Sequence, residues 1–131
     1  MVGFGPDIVI DQLTDLPDDA AKIPDLAPQI DRMLGAGTRN LLRAAEAAGA
    51  PRILAQSIAW EPPGKRGASY REHETAVLDA GGVVVRYGQL YGPGTYFETE
   101  TPPPPRIQID DAATRTAPIL DAPPGIVELI E

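Results

Sequence analysis

The chain has 131 residues, no cysteine, and a formal charge of −8 from 11 basic and 19 acidic residues. That length buries one core and is short for two, and the negative balance argues against a phosphate-backbone partner or an anionic membrane surface. Without cysteine neither a disulfide framework nor a thiolate metal site is available, which fits a reducing compartment.

The stretch Met1 to Ile10 has no basic residue ahead of its apolar run and contains Asp7, unlike a secretory signal. No apolar run approaches membrane-spanning length. A single cytoplasmic domain over residues 1–131 is therefore the expectation.

In chain order, Asp7 to Ile10 is a compact β-branched run after Gly5-Pro6 and reads as a buried strand. From Asp25 to Ala48 the residues Ile30, Met33, Leu34, Leu41, Leu42, Ala45 and Ala48 recur at helical spacing. Asp25 is the expected cap, Pro28 falls in the first turn, and Gly49 ends the helix. Gly35 and Gly37 sit inside it at a cost of about 1 kcal/mol each relative to Ala, so close packing against a sheet is expected there. Arg52 to Ile58 is a second buried strand, closed by a loop with Pro62-Pro63-Gly64.

Helical spacing resumes with Tyr70, His73, Val77 and Ala80 on one face, and Gly81-Gly82 stops it. Val83 to Tyr87 is a third strand, leading directly into the turn Gly88 to Gly94. Pro102 to Pro105 reads as an extended polyproline-type run. A short helix opened by acidic residues follows at Asp110 to Ala117, and Gly125 to Ile130 is a weaker last strand. Strands separated by helices imply a mostly parallel sheet of about four strands, because each parallel return needs a crossover. In such sheets ligands bind beyond the carboxyl ends of the strands. Those ends are Gln12 to Asp15, Ser57 to Trp60 and Gly88 to Gly94, which should cluster if the strands are neighbours.

Four segments in this order, Pro6–Thr14 (PDIVIDQLT), Gly37–Gly49 (GTRNLLRAAEAAG), Ala55–Ser57 (AQS) and Val85–Gly94 (VRYGQLYGPG), resemble the NAD-dependent epimerase/dehydratase branch of the short-chain dehydrogenase/reductase superfamily. Arg106–Ala113 (RIQIDDAA) resembles a later helix-opening segment of the same family. The resemblance implies an α/β, Rossmann-like but incomplete fold. Family members begin with a strand, a glycine-rich turn and a helix that hold the cofactor's pyrophosphate. Here Gly3-Phe4-Gly5 precedes a strand instead of following one, and Gly35-Ala36-Gly37 lies within a helix. No cofactor is therefore expected on the isolated chain, and NAD(P) enters only if a partner chain completes it.

By the same resemblance Ser57 takes the substrate-polarising hydroxyl role and Tyr70 is the candidate acid/base. Gln12, Leu13, Tyr91, Gly92 and Pro93 are the candidate cofactor contacts, and Trp60 and Arg86 the candidate substrate contacts. The family's Tyr is followed four residues on by a Lys that lowers its pKa; here Glu74 follows Tyr70, which would raise it. An alternative alignment puts Arg66 at the Tyr position and Tyr70 at the Lys position. Under either, the Tyr-Lys pair is not intact. Each residue also has a plainer reading: Ser57 satisfying a turn, Tyr70 half-buried with a wet hydroxyl, Gly92-Pro93-Gly94 a tight turn, and Arg86 in a local ion pair. His73, in Glu72-His73-Glu74, lacks the second histidine of a metal motif and reads as a solvated helix residue. A triad of Ser57, His73 and Asp110 or Asp111 has no support in spacing.

Without a preceding family strand, the strand at residues 7–10 becomes a sheet edge, and an apolar edge invites pairing with a second copy or a partner chain. The short stretch from Gly94 to Arg106 implies an open, shallow small-molecule pocket. Three functions follow: an atypical family member with weakened redox chemistry, such as a cofactor-independent isomerase, cyclase or lyase; an oxidoreductase or epimerase completed by a partner chain; or a non-catalytic assembly module.

Overall fold

The computed structural model describes residues 3–131. Four parallel strands form the sheet in the order β1-β2-β3-β6: β1 (Ile8–Asp11), β2 (Arg52–Ile58), β3 (Val83–Tyr87) and β6 (Gly125–Leu129). β3, a β-branched run bounded by glycines, is buried on both faces as a central parallel strand requires, whereas β1 and β6 end the order and are partly exposed. In that order β1 stands at one edge of the described sheet, and its Ile10 is 46 % exposed.

Helices α1 (Ala27–Arg32) and α2 (Thr38–Ala47) cross from β1 to β2, and α3 (Lys65–Asp79) crosses from β2 to β3. Beneath α3 lie Ala55, Val77 and Val84. On the other face a larger core gathers Leu54, Val83, Val85, Tyr87, Ile107, Ala112, Ile119 and Leu129. This core is roofed by α4 (Ile109–Thr116) and the 3₁₀ turn Ala117–Asp121.

Several expectations need correction. The long helix is preceded by a 3₁₀ turn, Ala20–Leu26, so Asp25 lies inside that turn and Asp19 caps it, accepting from the Ala21 amide. Leu26, which opens α1, makes no side-chain cap. Gly35 and Gly37 do not pack on the sheet: they sit in a π turn, Met33–Gly37, between α1 and α2. A Cβ on Gly37 would press on Met33 Sδ at 3.1 Å. One extra residue in the turn widens the helix there, which is the usual effect of a π insertion. The run Pro102–Pro105 is bent, not extended.

A second, two-stranded parallel ladder is absent from the periodicity reading: β4 (Gln89–Tyr91) pairs with β5 (Arg106–Gln108). Three residues leave too short a signal for alternation to register. It matters because it draws the 88–98 segment over the carboxyl ends of β2 and β3. Gly88 is its hinge, since a Cβ there would fall 2.7–2.8 Å from three backbone atoms of Arg106.

Candidate functional site

A cavity of about 490 Å³ opens at the carboxyl ends of β2 and β3. Gln56 to Ile58 and Trp60 form one side, Arg66 and Tyr70 of α3 a second, Tyr87 to Leu90 a third, and Gly94 to Phe97 a fourth. Leu16, Ala20 and Ile23, with Ile109, complete it. The Tyr96 hydroxyl donates to the Pro17 carbonyl, tying the 94–97 loop to the segment that precedes the 3₁₀ turn. Burial, with Asp18 and Asp19 nearby, pushes the Tyr96 phenol up, so it stays protonated and able to donate.

Two of the three strand ends named from sequence meet in this cavity, those after β2 and β3. The end after β1 stands beside it: Leu13 to Leu16 line a small neighbouring pocket with Asp11, Thr38, Gln56, Tyr70 and His73. Only Leu16, Gln56 and Tyr70 are shared between the two.

Ser57 and Tyr70, chosen from sequence, both line the cavity, as does Trp60. Ser57 follows Ala55 on the α3 face of β2, is 1 % exposed, and its Oγ has no hydrogen-bond partner. It faces the Glu74 carboxylate without completing a bond, yet close enough to help lower that carboxyl's pKa. Gln12 lines a separate apolar groove between β1 and α4, and Leu13 is 62 % exposed, its amide held by Asp11 Oδ1 at 3.1 Å. Tyr91 donates to Glu131 at 2.7 Å, and this bond pushes its phenol up. Gly92 donates its amide to the Phe97 carbonyl, and its φ of +112° with Gln108 and Ile109 close by makes glycine a packing requirement there. Pro93 follows it in the same exposed turn.

Arg86 turns away from the cavity. Its guanidinium grips Glu74 with two hydrogen bonds, of 2.8 and 2.7 Å, beside a smaller pocket under Trp60. Burial alone would raise the Glu74 carboxyl, but the bonds from Arg86, the Ser57 hydroxyl and the Arg86 charge outweigh it and hold it below its ordinary 4.5. Glu74 thus serves Arg86 and is not a free charge beside Tyr70. A carboxyl depressed in the fold contributes stability that is complete above its ordinary value and lost as pH falls through the lower folded value. Urea midpoints are therefore expected to drop below about pH 4.5, and Glu74→Gln to flatten part of that drop. Identical acid slopes for the two proteins would assign the loss to other carboxyls.

His73 is not solvated. It is 3 % exposed, with Nε2 2.9 Å from the Gln56 carbonyl and Nδ1 2.6 Å from Thr38 Oγ1. The carbonyl can only accept, so Nε2 donates to it, and Nδ1 pairs with the Thr38 hydroxyl, which also reaches the Met33 carbonyl at 3.4 Å. The ring ties α2, α3 and β2 together through the residue that follows the π turn. Both nitrogens are spoken for, and Asp110 and Asp111 stand exposed at the start of α4, where their amides donate to Gln108 Oε1. No Ser57, His73 and aspartate relay is assembled. Among the described residues no group of acidic or histidine side chains is placed to hold a metal.

The residue that sequence reasoning passed over is Arg66. It lines the cavity one turn before Tyr70, its Nε is buried, and among the described residues it has no hydrogen-bond or ion-pair partner. Its place in the family alignment was visible; its lack of a partner was not.

For the cofactor's phosphates the described residues are a poor fit. Gly3 and Gly5 precede β1, Gly35 and Gly37 are in the π turn, and Gly64 alone opens a helix after a strand, behind two prolines. No strand, glycine-rich turn and helix stand in the order that presents backbone donors to a pyrophosphate. No helix among the described residues is long and apolar enough to cross a membrane.

No family model matches the chain. It is 36 % identical over 116 residues to the 3-diazoavenalumate denitrifying reductase of a Streptomyces species, covering 70 % of this chain and 38 % of that enzyme. Its fold matches UDP-glucose 4-epimerase of Thermus thermophilus in complex with NAD, at a TM-score of 0.73 and 20 % identity, over 98 % of this chain and 57 % of that one. The Bordetella bronchiseptica enzyme WbmG in complex with NAD gives 0.74 at 18 % identity, over 98 % and 51 %. The chain thus spans little more than a third of the reductase and about half of the solved structures. It is similar in sequence to the reductase and shares the parallel α/β fold of the NAD-bound epimerases.

Proposed function

We propose that this chain forms the small-molecule side of an epimerase/dehydratase-type site, with its redox chemistry weakened. The carrying observation is the cavity at the carboxyl ends of β2 and β3, where Ser57, Trp60, Arg66 and Tyr70 converge. In this reading Tyr70 meets the substrate as hydrogen-bond donor and acid/base, and Trp60 packs on its body. Ser57, buried beside Glu74, positions that wall. A lysine four residues after the tyrosine would ease loss of the phenol proton; Tyr70 is followed by Glu74, already committed to Arg86. Proton transfer without hydride transfer, as in an isomerase, cyclase or lyase, suits this arrangement better than a dehydrogenase.

A second reading, supported by the edge position of β1 among the described strands and the exposed Ile10, is an oxidoreductase or epimerase whose phosphate grip comes from a second chain along that edge. The reductase and NAD-bound epimerases among its likenesses favour this reading. Sedimentation velocity of the chain at micromolar concentration, with NAD(H) or NADP(H) followed by absorbance, separates the two. The first reading expects no cofactor travelling with the protein. Cofactor co-sedimenting with the chain alone would overturn it, and a stable monomer would count against pairing through β1.

A further inference from the structure

The cavity wall has an unusual charge for this chain. The protein carries −8, yet no aspartate or glutamate lines the cavity, and Arg66 is its one formally charged residue. Five of the chain's seven aromatic residues, Trp60, Tyr70, Tyr87, Tyr96 and Phe97, line it. The arrangement sets one cation in an apolar, aromatic chamber.

Arg66 is also expensive where it stands. Its Nε is buried without an acceptor among the described residues, and a buried unpaired donor on a charged group costs more than a neutral one. It lies in the first turn of α3, next to Lys65, with no acidic residue in that turn. Cations are disfavoured there by the helix dipole. Glu61, the nearest acidic candidate in the preceding loop, is engaged by Arg71. Neither local pairing nor helix stability accounts for this guanidinium. An anionic ligand would supply the missing acceptor.

We infer that Arg66 anchors the carboxylate of a substrate with an aromatic or extended apolar body, which the aromatic wall of the cavity receives. The planar guanidinium fork matches a carboxylate with two parallel bonds. A single arginine balances one negative charge, and among the described residues no second cation lines the cavity to hold a phosphate's greater charge. The ligand is thus a monocarboxylate and not a nucleotide. Tyr70, one helical turn beyond Arg66, then lies along the ligand's body, where an acid/base would act. This inference rests on the small-molecule reading of the cavity and adds its substrate class.

Trp60 is the chain's only tryptophan and stands on the cavity wall, so its fluorescence reports occupancy. The probes are 3-phenylpropanoate, the isosteric 3-phenylpropanamide, and phenyl phosphate, titrated against the full chain, Arg66→Gln and Arg66→Lys. The acid is expected to bind at least about tenfold more tightly than the amide. Arg66→Gln should remove that preference while leaving amide affinity within about twofold, and Arg66→Lys should keep part of it, because charge remains and the fork is lost. Matching thermal unfolding of the variants excludes misfolding as the cause.

Equal binding of acid and amide to the full chain would overturn the anchor and leave the small-molecule cavity standing. Tighter binding of phenyl phosphate would overturn the monocarboxylate assignment. No fluorescence response to any probe would overturn both the anchor and the reading it rests on.

Discussion

Gly88→Ala is expected to destabilise the protein by about 3 kcal/mol, because overpacking that only backbone movement can relieve sits at the upper end of its usual cost. The added methyl would lie 2.7–2.8 Å from the Arg106 amide nitrogen, Cα and carbonyl carbon, closer than real Cβ contacts allow. No flexible side-chain end is there to yield. Relief means parting β4 from β5, where Gln89 donates to the Pro105 carbonyl and Gly88 to the Leu129 carbonyl. Those bonds hold the 88–98 segment over the cavity, and Ile107, fully buried in the larger core, follows from the same ladder. Stability and any Trp60 response to ligand should fall together. Gly3→Ala is the control, since nothing lies within 4 Å of its added methyl, and it should stay within about 0.5 kcal/mol of the parent in urea unfolding. A Gly88→Ala protein as stable as the parent would mean that β4 and β5 are not joined in solution.

The second large effect belongs to His73. Replacing it with Leu keeps most of the volume but strands the Gln56 carbonyl on that side and leaves the Thr38 hydroxyl only its long 3.4 Å bond to the Met33 carbonyl. Leaving buried polar groups unsatisfied costs about 1–3 kcal/mol apiece, so a loss of about 3 kcal/mol is expected. Thr38→Val alone should cost about 1–2 kcal/mol by stranding Nδ1. The double variant should lose less than the two single losses together, because one orphan disappears when both partners go. Chemical denaturation of the four proteins measures that coupling, and strict additivity would show that the imidazole and the hydroxyl are not bonded. Either result bears on the cavity, since the Gln56 carbonyl held by His73 belongs to a residue on its wall.

Much of the architecture was readable before any coordinates. The strands at 52–58 and 83–87 agree with β2 and β3 to the residue, and the first and last strands agree within a residue at each end. Buried β-branched runs are a local property, and glycine at positive φ after a helix, as at Gly49 and Gly81, is a local necessity. The parallel order followed because each return passes through a helix. Ser57 and Trp60 stand at the strand end expected to hold a ligand, Tyr70 on the helix the resemblance singles out, and all three line the cavity.

What failed to register depends on distance in the chain. His73 looked solvated because it lies between two glutamates; its burial depends on Thr38, thirty-five residues away, and on a π turn that no hydrophobic period reveals. Arg86 looked available for substrate until Glu74 reached it from the neighbouring helix. The β4–β5 ladder joins segments on either side of a bent proline run, each too short to carry its own pattern.

The sequence by itself determined the α/β class and the strand and helix order, because hydrophobic period, turn glycines and motif order are all written along the chain. Only the tertiary structure decided which charges are spent and which are left over. Glu74 neutralises Arg86, Glu61 holds Arg71, and Arg66 alone faces an aromatic cavity without a partner. Ion pairing depends on proximity in space, which only the fold decides.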